Sequence, residues 1–149
     1  MILYLDTSAL VKRYFQEPYS DEIISKWRSA TQIVTSFVAY AETMAAIYRK
    51  KREADLTNAL IRKITDQLHY DWESFIRVEV NGELDGYIRR AVEAHPLRGF
   101  DAIHLASAIV VRERLDEDFV FACFDERLAR AARLEGLEAF PSAPQDEGR

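Results

Sequence analysis

The sequence predicts an α/β protein, a three-layer α/β/α sandwich built on a mainly parallel sheet of about five strands. Three observations carry that expectation. Short runs rich in β-branched and aromatic residues alternate with segments of helical periodicity along the chain. Strand-helix alternation of this kind builds parallel sheets with helices on both faces. One helical segment, Ala102 to Val111, is apolar nearly all round, interrupted only by His104 and Ser107, and belongs inside such a sandwich.

The elements follow in order. Ile2 to Leu5 is a strand that ends in Asp6, Thr7 and Ser8. Ser20, followed by Asp21 and Glu22, starts a helix, because acidic side chains suit the positive end of the helix dipole. Ile33 to Thr35 is the second strand. Phe37, Ala41, Ala45 and the nearby Tyr48 mark an amphipathic helix, as do Leu56, Leu60, Ile64 and Leu68 at every fourth residue. Phe75 to Val80 is the third strand and Phe119 to Phe124 the fourth. The pattern from Leu128 to Glu135 is a helix that Gly136 stops, and Leu137 to Phe140 is a brief last strand.

A chain of 149 residues with 48% hydrophobic content suits one core, expected over residues 1–140, with the polar segment 141–149 as a C-terminal tail. The single cysteine, Cys123, excludes an intrachain disulfide, and its apolar strand setting argues against redox chemistry. No apolar run reaches the roughly 18 to 20 residues that a membrane span needs, and the first residues lack the features of a signal peptide. The expectation is a cytoplasmic protein with no membrane partner. A net charge of -5 gives no overall field to gather phosphates, so any contact with nucleic acid must be local.

Ligands of open parallel sheets bind outside the carboxyl ends of the strands, which directs attention to the acids there. Asp6 and Asp125 each follow a strand and precede a helix, and Asp101 opens the buried helix. Glu42 lies in a helix with Val38, Ala39, Ala45 and Ala46 three and four residues away, a setting in which a carboxylate needs a partner or a pocket. Each acid alone has a plainer reading: the aspartates as N-caps, Glu42 as an ion pair with Arg49. Together, carboxylates gathered at one sheet edge repel one another and raise each other's pKa, and a divalent cation relieves that conflict. All-oxygen donors select a hard ion such as Mg²⁺, and no Cys/His cluster suggests zinc. Phosphodiester hydrolysis is the chemistry such a centre serves.

Four segments carry a family resemblance: Tyr4-Leu5-Asp6-Thr7-Ser8-Ala9-Leu10, Ala41-Glu42, Phe100-Asp101-Ala102-Ile103-His104-Leu105-Ala106, and Phe124-Asp125-Glu126-Arg127-Leu128 with Ala131-Ala132 after it. In that order, over nearly the whole chain, they resemble PIN-domain proteins, and among these the VapC-type toxin ribonucleases. The resemblance implies an acidic quartet of Asp6, Glu42, Asp101 and Asp125, with Asp6 and Asp101 foremost as metal ligands. It places Ser8 where the family has a small polar residue that holds a water or phosphate oxygen. It also implies dependence on Mg²⁺ or Mn²⁺, endonucleolytic cleavage of RNA, a homodimer, and a small cognate antitoxin protein. One departure stands out: Cys123 occupies the position, two before the fourth acid, where many members carry Thr or Ser, which weakens side-chain hydrogen bonding there.

Arg98, close before Asp101, is the preferred single basic residue for a phosphate contact. The run Arg49 to Arg52 reads either as a contact for RNA phosphates or as cations at a helix C-terminus, and Arg127, Arg130 and Arg133 read as a solvated ridge unless an acidic partner covers them. His104, one turn after Asp101, is expected to bond to it as a satisfied core histidine. The alternative to a nuclease is a catalytically silent PIN-like scaffold that binds RNA or protein, but a scaffold has no need to keep four mutually repelling acids.

Overall fold

The computed structural model describes residues 1–144, so the expected tail lies outside the described residues from 145 onward. Five strands form one fully parallel sheet in the order β3-β2-β1-β4-β5: β1 (Ile2–Leu5), β2 (Gln32–Ser36), β3 (Ile76–Val78), β4 (Phe119–Ala122) and β5 (Glu138–Phe140). Between them run α1 (Thr7–Val11), α2 (Ser20–Ser29), α3 (Val38–Ala54), α4 (Asn58–Ser74), α5 (Gly82–Ala94), α6 (Gly99–Arg114) and α7 (Glu126–Leu134).

Side chains that alternate along β1 divide the core into two layers, as a period of two requires. Ile2 and Tyr4 pack with Phe119 and Phe121 against α6 and α7, whereas Leu3 and Leu5 pack with Val120 and Ala122 against α1 to α4. The expected three-layer sandwich results. The chain builds outward from β1 through β2 to β3, then returns to the other side of β1 for β4 and β5. The order in which strands are added therefore reverses between β1 and β4, where open α/β sheets form their ligand crevice.

Four expectations need correction. The third strand is shorter than Phe75 to Val80, because only Ile76 to Val78 find partners on β2 and Phe75 caps α4. The fourth stops at Ala122, because the Phe124 N–H turns to the Ser8 hydroxyl at 2.9 Å instead of a neighbouring strand. In α3 the helix is as expected but the buried face is Ala39, Thr43, Ala46 and Ile47, leaving Phe37, Tyr40 and Tyr48 exposed. Small apolar residues lie on both sides of this helix, so its periodicity does not single out one face. In α4 the strict four-residue repeat drifts by about 40° per step around a helix of 3.6 residues per turn. Ile64 and Leu68 stay inside while Leu60 emerges.

Candidate active site

The four acids reach one cleft by different routes. Asp6 follows β1 and Asp125 follows the neighbouring β4, and the parallel register that pairs Leu5 with Ala122 sets the two corners side by side. Each aspartate is the N-cap of the next helix: Asp6 Oδ1 accepts from the Ala9 N–H at 2.9 Å, and Asp125 Oδ1 from the Leu128 N–H at 2.9 Å. Such caps are worth about 1 kcal/mol each. Capping and a site role are compatible, since both helix bonds end on one carboxylate oxygen. Ser8 joins the corners, donating to Asp6 Oδ1 at 2.7 Å and accepting from the Phe124 N–H.

Asp101 sits in the first turn of α6 and Glu42 in the second turn of α3. Asp6, Glu42, Asp101 and Asp125 line a single cleft of about 670 Å³, together with Ser8 and Arg98. Its far wall is apolar, formed by Ile88, Phe100 and Ile103. Every residue singled out from the sequence for the site is thus in one place.

Their electrostatics differ. Burial pushes the Asp6 carboxyl above its usual range, against the pull of His104, Ser8, the Ala9 N–H and Cys123. Burial also raises Asp101, and the charge of Asp125 adds to it, with Asp6 contributing in the same direction; Arg98 and His104 pull the other way. Glu42 moves oppositely. Partial burial would raise it, but the bond and charge of His104 and the Thr7 hydroxyl outweigh burial and hold it below the usual range.

His104 does not bond to Asp101 as the sequence suggests. Its Nε2 lies 2.8 Å from Glu42 Oε1 and its Nδ1 2.8 Å from the buried Tyr4 hydroxyl. Thr7 donates to the same Glu42 oxygen at 2.8 Å. Glu42 is held by this chain, and not by Arg49. Thr7 and Tyr4 were not distinguishable from the sequence, since the contacts span 35 and 100 residues. Cys123 does the work expected of a hydroxyl at longer range: its Sγ accepts from the Asp125 N–H at 3.3 Å and donates to the Asp125 carbonyl at 3.4 Å.

Among the described residues no three His, Cys, Asp or Glu side chains already form a ligand shell. The donor set nevertheless fits Mg²⁺, which takes one or two carboxylates and keeps several waters instead of a protein cage. Two carboxyls raised by burial, Asp101 further by the charges of Asp125 and Asp6, with no cationic side chain in ion-pair contact with either among the described residues, are a set that a hard cation stabilises.

A parallel α/β sandwich with a carboxylate-lined cleft at its switch point defines the class of protein. The PIN domain family model matches residues 3–134, and the chain belongs to that family. It is 33% identical over 145 residues to Ribonuclease VapC49 of Mycobacterium tuberculosis, covering 95% of this chain and 96% of that one, and 32% identical over 136 residues to Ribonuclease VapC46 of the same organism, covering 91% and 93%. Among solved structures, the fold is shared with FitAcB from Neisseria gonorrhoeae, at TM-score 0.65, 14% identity and coverage of 94% and 96%. It is also shared with VapBC2 from Rickettsia felis bound to a promoter DNA fragment, at TM-score 0.63, 12% identity and coverage of 93% and 97%.

Proposed function

We propose that this chain is a metal-dependent endoribonuclease, the toxin of a toxin-antitoxin pair, whose single domain over residues 1–140 hydrolyses RNA phosphodiester bonds with Mg²⁺, for which Mn²⁺ substitutes. The observation that carries the reading is the cleft itself: Asp6, raised by burial, and Asp101, raised by burial and by neighbouring carboxylates, face it with Asp125 and Glu42. Whole-length similarity to VapC ribonucleases supports the same reaction.

Asp6, Asp101 and Asp125 would hold the cation. When bound, it supplies positive charge to the developing charge on the phosphoryl group and acidifies a water molecule. Glu42, fixed by Thr7 and His104, orients a water or a ligand at the cleft floor. Arg98 faces the cleft with no carboxylate within ion-pair distance among the described residues, and offers its guanidinium to a phosphate oxygen. The Ser8 hydroxyl already donates to Asp6 and accepts from Phe124, so its part is to keep the two aspartate corners in register.

The exposed Phe37, which precedes α3, and Tyr40 and Tyr48 on it supply an apolar face for the second copy of a homodimer. Complexes such as VapBC2 support a small antitoxin protein as the other partner. No helix among the described residues is long and apolar enough to cross a membrane, and a buried, unpaired Cys123 suits the reducing cytoplasm. The test is cleavage of labelled structured RNA by the purified protein, with Mg²⁺ and with EDTA. Cleavage that requires the metal is expected; RNA binding without cleavage under any divalent ion would return the scaffold reading.

A further inference from the structure

A second groove of about 690 Å³ runs beside the acidic cleft, and Asp125 lines both. One wall is α7, which presents Arg127, Arg130 and Arg133 at three-residue spacing; the other includes Tyr19 and Pro141. Residues three apart lie on one helix face, so the three guanidiniums form a ridge. Among the described residues none of them has a carboxylate within ion-pair distance, although Glu126 lines the same groove, and Arg133 directs one N–H to the Pro141 carbonyl at 3.3 Å.

The opposite wall is aromatic. Tyr19, 46% exposed, packs its ring against Phe124 and Phe140 at centroid distances of 5.4 and 6.1 Å, and Lys26 Nζ stands 4.5 Å from the Phe140 centroid. A row of like charges is relieved by a polyanion, and guanidinium forks match phosphate oxygens. An exposed aromatic face beside such a row suits an unpaired base. In a chain of net charge -5, contacts to a polyanion have to be concentrated, and this groove is one place where they are.

We propose that this groove carries the RNA strand adjoining the scissile phosphate, with Arg127 and Arg130 on backbone phosphates and Tyr19 beneath an unpaired base. The proposal rests on the nuclease reading and adds the path by which a strand passes Asp125 into the acidic cleft. An acidic protein segment would satisfy the arginines equally well. Continuity with the acidic cleft and the exposed Tyr19 ring favour RNA.

The test uses the full-length protein and its R127E/R130E variant on two substrates, an unstructured 20-mer RNA and a tetranucleotide too short to fill both clefts. For the 20-mer, KM is expected to rise at least about tenfold with kcat little changed, and the salt dependence of log KM to become shallower by about 1.4, about 0.7 per lost contact to a single-strand phosphate. Tetranucleotide cleavage stays at the wild-type level, and R127K/R130K recovers most of the 20-mer KM. An unchanged 20-mer KM and salt slope overturns the proposal while leaving the nuclease reading intact. So does an equal loss on both substrates, or a loss confined to binding of a fluorescent polyglutamate peptide. Fluorescence anisotropy of the 20-mer in EDTA separates the two readings. If the wild type binds RNA without ever cleaving it and the variant binds more weakly, the groove stands and the nuclease reading falls.

Discussion

Asp6 and Glu42 line the same cleft and are held by opposite means. Asp6 is buried at a strand-helix corner, where hydroxyl and N–H donors do not offset the cost of desolvation, and its carboxyl is raised. Glu42 is half-buried, bonded to His104 and Thr7, and its carboxyl is lowered. The protein therefore supplies Glu42 with a histidine partner of its own and gives Asp6 none that offsets its burial, which is the basis for proposing that the aspartates take an outside cation. That difference supports the proposal that the aspartates hold the metal and Glu42 positions its ligands, and the following substitutions and titrations bear on it.

The largest effect is expected at the aspartates. Asp101→Asn and Asp6→Asn each lower RNA cleavage at least about 100-fold, because each removes charge where the reaction needs it. Asn is also a good N-cap, so Asp6→Asn keeps the bond to the Ala9 N–H. Its metal-free melting temperature should exceed that of the wild type, since a carboxylate disfavoured by burial has gone. A lower melting temperature, measured by circular dichroism, would show that the Asp6 charge is already compensated within the protein.

Glu42→Gln should be milder, with a loss of about 10- to 100-fold in activity or in apparent metal affinity, the range for groups that orient a metal's ligands. An effect as large as that of Asp101→Asn, read from steady-state cleavage over a Mg²⁺ series, would make Glu42 an equal ligand and erase the distinction.

Stability against pH should show the two signs directly. For Asp6 and Asp101 the folded-state pKa lies above the unfolded value. Their contribution is fully present below the unfolded pKa and is lost as pH rises through the folded pKa. For Glu42 the folded value is depressed, so its contribution is present above the unfolded pKa and lost as pH falls through the folded one. Melting temperatures in EDTA should therefore fall less steeply in Asp6→Asn than in the wild type as pH rises from the unfolded carboxylate pKa through the raised folded one. Added Mg²⁺ should stabilise most at the higher pH.

The smallest effect is expected from Tyr4→Phe, which removes the hydroxyl bonded to His104 Nδ1. Loss of this buried bond should cost about 1 kcal/mol or somewhat more, with cleavage reduced less than in Glu42→Gln. Chemical denaturation and single-turnover cleavage measure the two.

The fold and the acids were legible in the sequence because their signals are local. Strand composition marked all five strands, and Asp6 and Asp125 were visible as residues between a strand and a helix. What escaped notice depends on distant partners. His104 meets Glu42 across 62 residues and Tyr4 across 100, whereas local spacing points only to Asp101, one turn away on the same helix. The polar helix α5 escaped as well, since only Leu84 and Ala91 of its residues are buried. The buried face of α3 was misassigned because small apolar residues flank the helix on both sides. The role of Arg127 and Arg130 depended on a neighbouring wall, Tyr19, that lies more than 100 residues earlier in the chain.

The central claim is that the aspartates bind the cation and Glu42 supports them. Calorimetric titration of Mn²⁺ into the wild type, Asp101→Asn and Glu42→Gln tests it most directly, independently of any RNA. Binding is expected in the wild type, weakened about 10- to 100-fold in Glu42→Gln, and undetectable in Asp101→Asn. Binding in Asp101→Asn equal to that of the wild type would contradict it.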